Sequence, residues 1–350
     1  MKKINRTNRS QSLRILLSTR QICHKTVSTH DRLTDKEFRH KRDDVFCNFR
    51  NYPSTTLFAY SNDLSSDTVL QSWNFIFQFG SYSYWFGSVR FDIENINIQF
   101  DTNIANATST IQNNLPDPNQ GFQNSSVGSN VFDVIEKFFS NTQAPVCGST
   151  IFILLKRYPN EADISRLVSL IRSHHSIVHV KASAAPSGGS QPKTMYSVSS
   201  KTNGMGLIEN DDHFGNFFGW FSPSENPFPV YATTIQVSGS GTKTLPDFHP
   251  LISDGCSISI TYQDHVPDDS LQNITLRWTN PGDSGNFLVN SSDISTYHIG
   301  GKYLGGSADF MGVNYKMALD YNYLGQDVQN LQIRIYSNFP LTNNWLPYSD

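Results

Sequence analysis

The sequence predicts an α/β domain with a doubly wound, mostly parallel sheet, followed by an all-β sandwich. Three observations carry this. Strand-like and helix-like segments alternate over roughly the first two thirds of the chain. Ser149–Leu155 is a continuous apolar run, as a strand buried on both faces of a parallel sheet requires. After residue 229 only strand-like segments follow, separated by turns such as Pro281-Gly282-Asp283-Ser284-Gly285.

In the first part, Thr56–Ser61 reads as a short apolar strand, and Asn62–Ser66 as a loop and helix cap. Val69, Trp73, Ile76 and Phe77 then mark one face of a helix. Val89-Phe91-Ile93 and Ile96-Ile98-Phe100 alternate on either side of Glu94-Asn95, which predicts a hairpin at an antiparallel edge. The polar stretch 102–128 contains Pro116, Pro118 and two sequons and reads as a surface loop with one helical turn. Val131, Ile135, Phe138 and Phe139 form the next helical stripe, and Ile164, Leu167, Val168 and Ile171 a third. Ser176–Val180 is a strand, Ala184–Gln191 a loop, Met195–Ser199 a short helix and Gly206–Ile208 the last strand of the sheet.

Ser222–Pro229 has the composition of a linker. Beyond it, strands are expected at 233–238, 256–262, 273–279, 286–290, 313–323 and 330–336. The domains are therefore drawn as a basic segment over 1–46, an α/β domain over 47–222 and a β-sandwich over 229–350.

Composition narrows the function classes. The chain has 350 residues, of which 37% are hydrophobic, 13% aromatic and only 16% charged. That is the balance of a globular protein with an Asn-, Ser- and Thr-rich surface. Residues 1–45 hold 12 Lys and Arg against 5 Asp and Glu, leaving 15 basic and 25 acidic residues in the body, a net charge of −10. An acidic body disfavours nucleic acid, whose phosphates need a basic face. No run of about 18 apolar residues is present, so no transmembrane helix is expected.

Residues 1–30 carry seven Lys and Arg and no acid, a disordered or leader-like composition that also fits a mitochondrial transit segment. The body points elsewhere, to an extracellular protein: Asn106, Asn124, Asn273 and Asn290 each begin an Asn-x-Ser/Thr sequon. Among Cys23, Cys47, Cys147 and Cys256 no two have C-x-x-C spacing. Cys47 and Cys147 precede strands that could be neighbours; they are read either as a disulfide or as two buried thiols.

The order of elements in the first domain resembles a von Willebrand factor A domain. The body over 47–350 is similar to a nematode family of secreted proteins in which a divergent A-like domain precedes a β-sandwich. The residues carrying the resemblance are Leu57–Leu64, the helix–strand unit 131–155, Tyr315–Tyr323, Leu331–Ser337 and Trp345–Tyr348. It implies surface recognition, as in innate defence, of a protein or glycan partner; no nucleophile elbow, dinucleotide or Walker motif is present, so no catalytic residue is expected.

A-domains usually hold Mg²⁺ through Asp-x-Ser-x-Ser after the first strand, a Thr from a later loop and an Asp at the end of the central strand. Here Asp63 and Ser65 begin such a motif, Asp67 replaces its last Ser, and Ser129 could at best replace the Thr. The central strand ends in Lys156-Arg157. A cation there repels a dication by several kcal/mol at short range. The metal site therefore reads as degenerate, no cofactor is expected, and Asp63, Ser65 and Ser66 read as helix-cap residues. Lys156 and Arg157 become candidate contacts for an acidic partner. The alternative is a hydrolase with Asp63 beside Lys156 as its perturbed pair. Ser238–Lys243 reads as a hairpin loop, and Phe214–Phe221 as an aromatic plug between the domains.

Overall fold

The computed structural model describes Cys47 and residues 54–77, 83–216, 228–262, 264–266, 268–292, 303–339 and 345–348. The α/β part has six strands in the order β3-β2-β1-β4-β5-β6. These are β1 (Thr55–Ser61), β2 (Trp85–Phe91), β3 (Gln99–Asp101), β4 (Thr150–Leu155), β5 (Ile177–Ser183) and β6 (Gly206–Glu209). All neighbours run parallel except β2 and β3. The helices are α1 (Ser66–Phe77), α2 (Ile104–Gln112), α3 (Val131–Phe139), α4 (Ser165–Ser173) and α5 (Thr194–Lys201).

The apolar runs are continuous because successive side chains enter two different cores. Leu57, Ala59, Ile151, Ile153 and Leu155 pack with Ile135, Phe138, Leu167 and Ile171 on one face of the sheet. Phe58, Tyr60, Phe152 and Leu154 pack with Val69, Trp73, Ile76 and Ile111 on the other. A disulfide joins Cys47 to Cys147, 100 residues apart, just ahead of β4. Closing a loop of that length stabilises the fold by roughly 4–5 kcal/mol in the chain-entropy account.

The remaining strands form a sandwich of two antiparallel sheets, β11-β10-β13-β8 and β12-β9-β14-β7. They are β7 (Phe228–Val237), β8 (Ser240–Phe248), β9 (Asp254–Thr261), β10 (Leu271–Asn280), β11 (Asp283–Asn290), β12 (Tyr303–Phe310), β13 (Tyr315–Tyr323) and β14 (Gln329–Ser337). Ile258, Ile260, Ile333 and Ile335 face Leu276, Trp278, Met317 and Leu319 across one core.

Strand β14 is buried on both faces. Leu331, Ile333 and Ile335 fill the sandwich, while Gln332 and Arg334 turn to the α/β domain and are fully buried. The Arg334 Nε donates to the carbonyls of Asn203 and Gly204 at 3.1 and 2.9 Å, and Nη2 donates to Ser200 O at 3.3 Å. These are carbonyls at and just past the end of α5, where no intrahelical donor remains. Asn203 turns the chain there with φ 56°. A Cβ on Gly204 would lie 1.8 Å from Val178 O, so only glycine fits. Gln332 completes the seam by accepting from Gly206 N at 2.7 Å and donating to Ser200 Oγ at 2.6 Å.

Several expectations need correction. The expected hairpin has a longer connection: β2 starts earlier and pairs with only three residues of β3. Asp92 takes a left-handed backbone, φ 63°, and ends the strand. The expected loop after residue 102 begins with a nine-residue helix, α2, capped by Asn103 Oδ1 on Asn106 N. Strands β8 and β12 were not expected. Pro246 is tolerated because β8 is an edge strand. Gly306 in β12 makes room for Phe287, whose ring would lie 2.3 Å from a Cβ. Ser238–Lys243 is a loop only at its start, since β8 begins at Ser240. Phe214 packs against the sheet with Trp73 and Leu207 rather than between domains; Phe217–Phe221 lie outside the described residues.

The Arg334→Met substitution keeps the bulk and removes the donors. It should cost at least about 3 kcal/mol in urea unfolding, because several buried carbonyls lose their partner. A loss below about 1 kcal/mol would mean that the seam does not depend on those bonds.

Candidate functional site at the rim of the sheet

The C-terminal ends of β1, β2, β4 and β5 bring Asp63, Asp92, Arg157 and Ser187 to one rim. In open α/β sheets this is the edge where ligands bind. Arg157, two residues past β4, turns inward. Its side chain is 3% exposed and its Nε donates to Asp63 Oδ2 at 2.9 Å. Nη1 donates to Asn124 O and Val127 O, both at 2.9 Å, and Nη2 to Phe122 O at 2.8 Å. The guanidinium thus holds a carboxylate on one side and the backbone of the 122–127 loop on the other. Ser187 also donates its hydroxyl to Asp63 Oδ2. A Cβ on Gly188 would lie 2.3 Å from Arg157 Nη1, so glycine lets the 185–191 loop cross close above the guanidinium.

The same loop is tied to the neighbouring strand ends. Asn62 donates its amide to Asp117 O at 2.8 Å and accepts from Asp117 N at 2.9 Å. Arg90 donates to Leu115 O and Gln120 Oε1, both at 2.6 Å. A proline-containing surface segment is therefore held mainly by side chains at and just past the ends of β1, β2 and β4, with one isolated bridge between Ile93 and Gly121.

Asp92 is fully buried beside this arrangement and accepts from the Ser61 hydroxyl. Burial pushes its carboxyl up to about 7, and the nearby Asp63 charge adds to this; the Ser129 and Ser61 hydroxyls and Arg157 pull the other way.

The expected site residues fall into separate roles. Ser65 caps α1, accepting from Thr68 N at 3.0 Å, but Asp63 does not cap: it pairs with Arg157. Ser129 is buried and accepts from Val131 N at 3.2 Å at the start of α3. Arg157 offers no charge to a partner, because its guanidinium is enclosed. Lys156, 17% exposed, is bound to Asp211 at 2.5 Å and donates to Ser183 Oγ at 3.1 Å. The pair imagined for a hydrolase, Asp63 with Lys156, does not form; each has a different partner. The rim also does not fit a divalent ion. The carboxylate such an ion would need already neutralises a tethered cation, and a second positive charge there would be repelled.

Sequence reasoning missed Asn62, Asp92, Ser183, Ser187 and Asp211. Asp92 had a signal, since it follows an alternating strand at a position equivalent to the end of β1. A second buried cation also escaped notice. Lys181 donates to His213 O and lies 5.1 Å from the centre of the Phe214 ring. Burial holds its ammonium well below the usual lysine range, against the pull of Glu209 and Asp212. Two histidines of the α/β domain are structural: His175 stacks on Trp345 at 4.5 Å, and burial lowers His179 to about 3, keeping it neutral.

Residues 233–338, within the sandwich, match a family model described as a domain of unknown function, DUF7154. A search of curated proteins returns no significant match. Among solved structures, the SpRpn10 VWA domain matches at 10% identity and a TM-score of 0.31, over 45% of this chain and 87% of that one. A carbohydrate-binding module from Cellvibrio mixtus lichenase 5A, solved with cellotriose, matches at 10% identity and a TM-score of 0.19, over 32% and 92%. Neither superposition is close enough to bear on function. The first domain is von Willebrand factor A-like in its own strand order, with one antiparallel edge on a parallel sheet. Among the described residues no helix is long and apolar enough to cross a membrane.

Asp92 gives a pH test. Its folded carboxyl binds a proton more tightly than the unfolded one, so this contribution to stability is full below about pH 4. It is lost as pH rises through about 7. The Asp92→Asn protein keeps an acceptor for Ser61 and lacks the titration. Relative to wild type it should gain stability between about pH 5 and 8, by up to the order of 4 kcal/mol. Parallel stability–pH curves for the two proteins would contradict the assignment.

Proposed function

We propose that the chain is a non-catalytic extracellular recognition protein whose A-like rim works without a divalent ion. The observation that carries this reading is Arg157. Its guanidinium supplies positive charge at the rim from within the chain and fixes the 122–127 loop through three carbonyls. A surface ordered in this way is preorganised, so a partner need not supply the ordering cost.

Two further features support the extracellular setting. The Cys47–Cys147 disulfide suits an oxidising compartment. Sequons at Asn106, Asn124 and Asn290 sit at exposed positions. The rim loop presents Asn119, Gln120, Gln123 and Asn124, all exposed or nearly so, with Asp117 as a nearby carboxylate. Amides of this kind exchange hydrogen bonds with polar protein surfaces and with sugar hydroxyls. The partner class is accordingly an extracellular protein or glycan.

The test is binding of the purified chain to arrays of extracellular proteins and glycans, run in parallel with Mg²⁺ and with EDTA. The account predicts the same ligands and affinities in both. Binding that disappears in EDTA and returns with Mg²⁺ would contradict it.

A further inference from the structure

The four sequons of the body are not equivalent in the fold. Asn106 lies in the first turn of α2, and its partner Thr108 has a committed hydroxyl: it donates to Ile104 O at 2.7 Å and accepts from the Trp73 indole at 2.9 Å. Asn273 and Asn290 are paired directly across β10 and β11, and Asn322 is the neighbour of Asn273 on its other side. Directly paired residues hold their Cβ atoms only about 5 Å apart, so a glycan on one crowds the other.

Asn124 differs on each count. It is exposed, and Ser126 folds back on it, donating from both its backbone N and its hydroxyl to Asn124 Oδ1 at 2.9 Å. With Oδ1 so held, Nδ2 has no hydrogen-bond partner among the described residues. This turn spans three residues and needs no tertiary partner, so the nascent chain can form it before folding. In the folded chain the backbone of Asn124 is anchored by Arg157, which presents the amide at a fixed place on the rim.

We propose that Asn124 carries an N-linked glycan, and that this sugar is part of the recognition rim. The proposal rests on the extracellular reading above. In the transfer, Asn124 Nδ2 forms a bond to C1 of the reducing-end N-acetylglucosamine of a lipid-pyrophosphate-linked oligosaccharide. The bond from C1 to the pyrophosphate oxygen breaks, the lipid pyrophosphate leaves with the electron pair, and Nδ2 gives up one proton. The amide oxygen keeps its bonds from Ser126, so the loop need not rearrange to accept the sugar. Any partner approaching the 122–127 loop then meets the glycan first.

Peptide mass spectrometry of the native protein, after glycosidase release in heavy-oxygen water, tests this by converting each occupied Asn to labelled Asp. The expected result is label at Asn124 in most molecules, with no molecule labelled at both Asn273 and Asn290. Unlabelled Asn124 beside a labelled sequon elsewhere overturns the site and leaves the extracellular reading standing. No label at any sequon of the chain, Asn5 and Asn8 included, overturns both.

Discussion

A guanidinium taken out of water must find its charge and its donors satisfied within the protein, and the rim of this molecule is arranged around that requirement at Arg157. Asp63 supplies the counter-charge, and Phe122, Asn124 and Val127 supply carbonyls. Gly188 yields the space for the loop crossing above. None of these positions needs a metal ion to explain it. In a relative with an aspartate at the end of the central strand, the rim would gather negative charge and invite a dication. Here the cation is covalently part of the chain, so the loop order it creates does not depend on ion concentration.

The interdomain seam uses the same physical device with a different balance. Arg334 has no carboxylate; it is satisfied by the carbonyls of Ser200, Asn203, Gly204, Thr233 and Ile333. Burial lowers its guanidinium to about 10, against the pull of Tyr336, Tyr196 and Tyr231. The planar fork of donors suits both places, since each collects carbonyls from irregular backbone that has no ladder partner. One such fork orders the rim of the α/β domain, and the other joins the sandwich to the end of α5.

Much of the architecture was legible because the apolar patterns were long. The run through Ile151–Leu155 reported a central strand, and the stripe Val131, Ile135, Phe138 reported a helix. The failures have local causes. Helix α2 buries only Ala107 and Ile111, too sparse a stripe to stand out from a polar loop. Two adjacent glycines disfavour a strand at 305–306, yet Gly306 is required inside β12 by the ring of Phe287. Ser257, Ser259 and Thr261 look like the solvent face of β9 but are buried, and Thr261 meets Tyr196 of α5. At the rim, the sequence located the two cations at the end of β4 and could not tell which way they point. That depends on Asp63, 94 residues earlier, and on loop carbonyls that have no sequence signature. The pairing of Cys47 with Cys147 was left open for the same reason: spacing along the chain does not report distance in space.

The central claim is that Arg157 and Asp63 act as one buried unit. A double-mutant cycle with Arg157→Met and Asp63→Leu, read by chemical unfolding, measures this directly. Each single change should cost about 3–5 kcal/mol, because it strands a buried charge, and the double change should cost clearly less than their sum. The predicted coupling is about 2 kcal/mol or more, whereas additivity within about 0.5 kcal/mol would contradict the account.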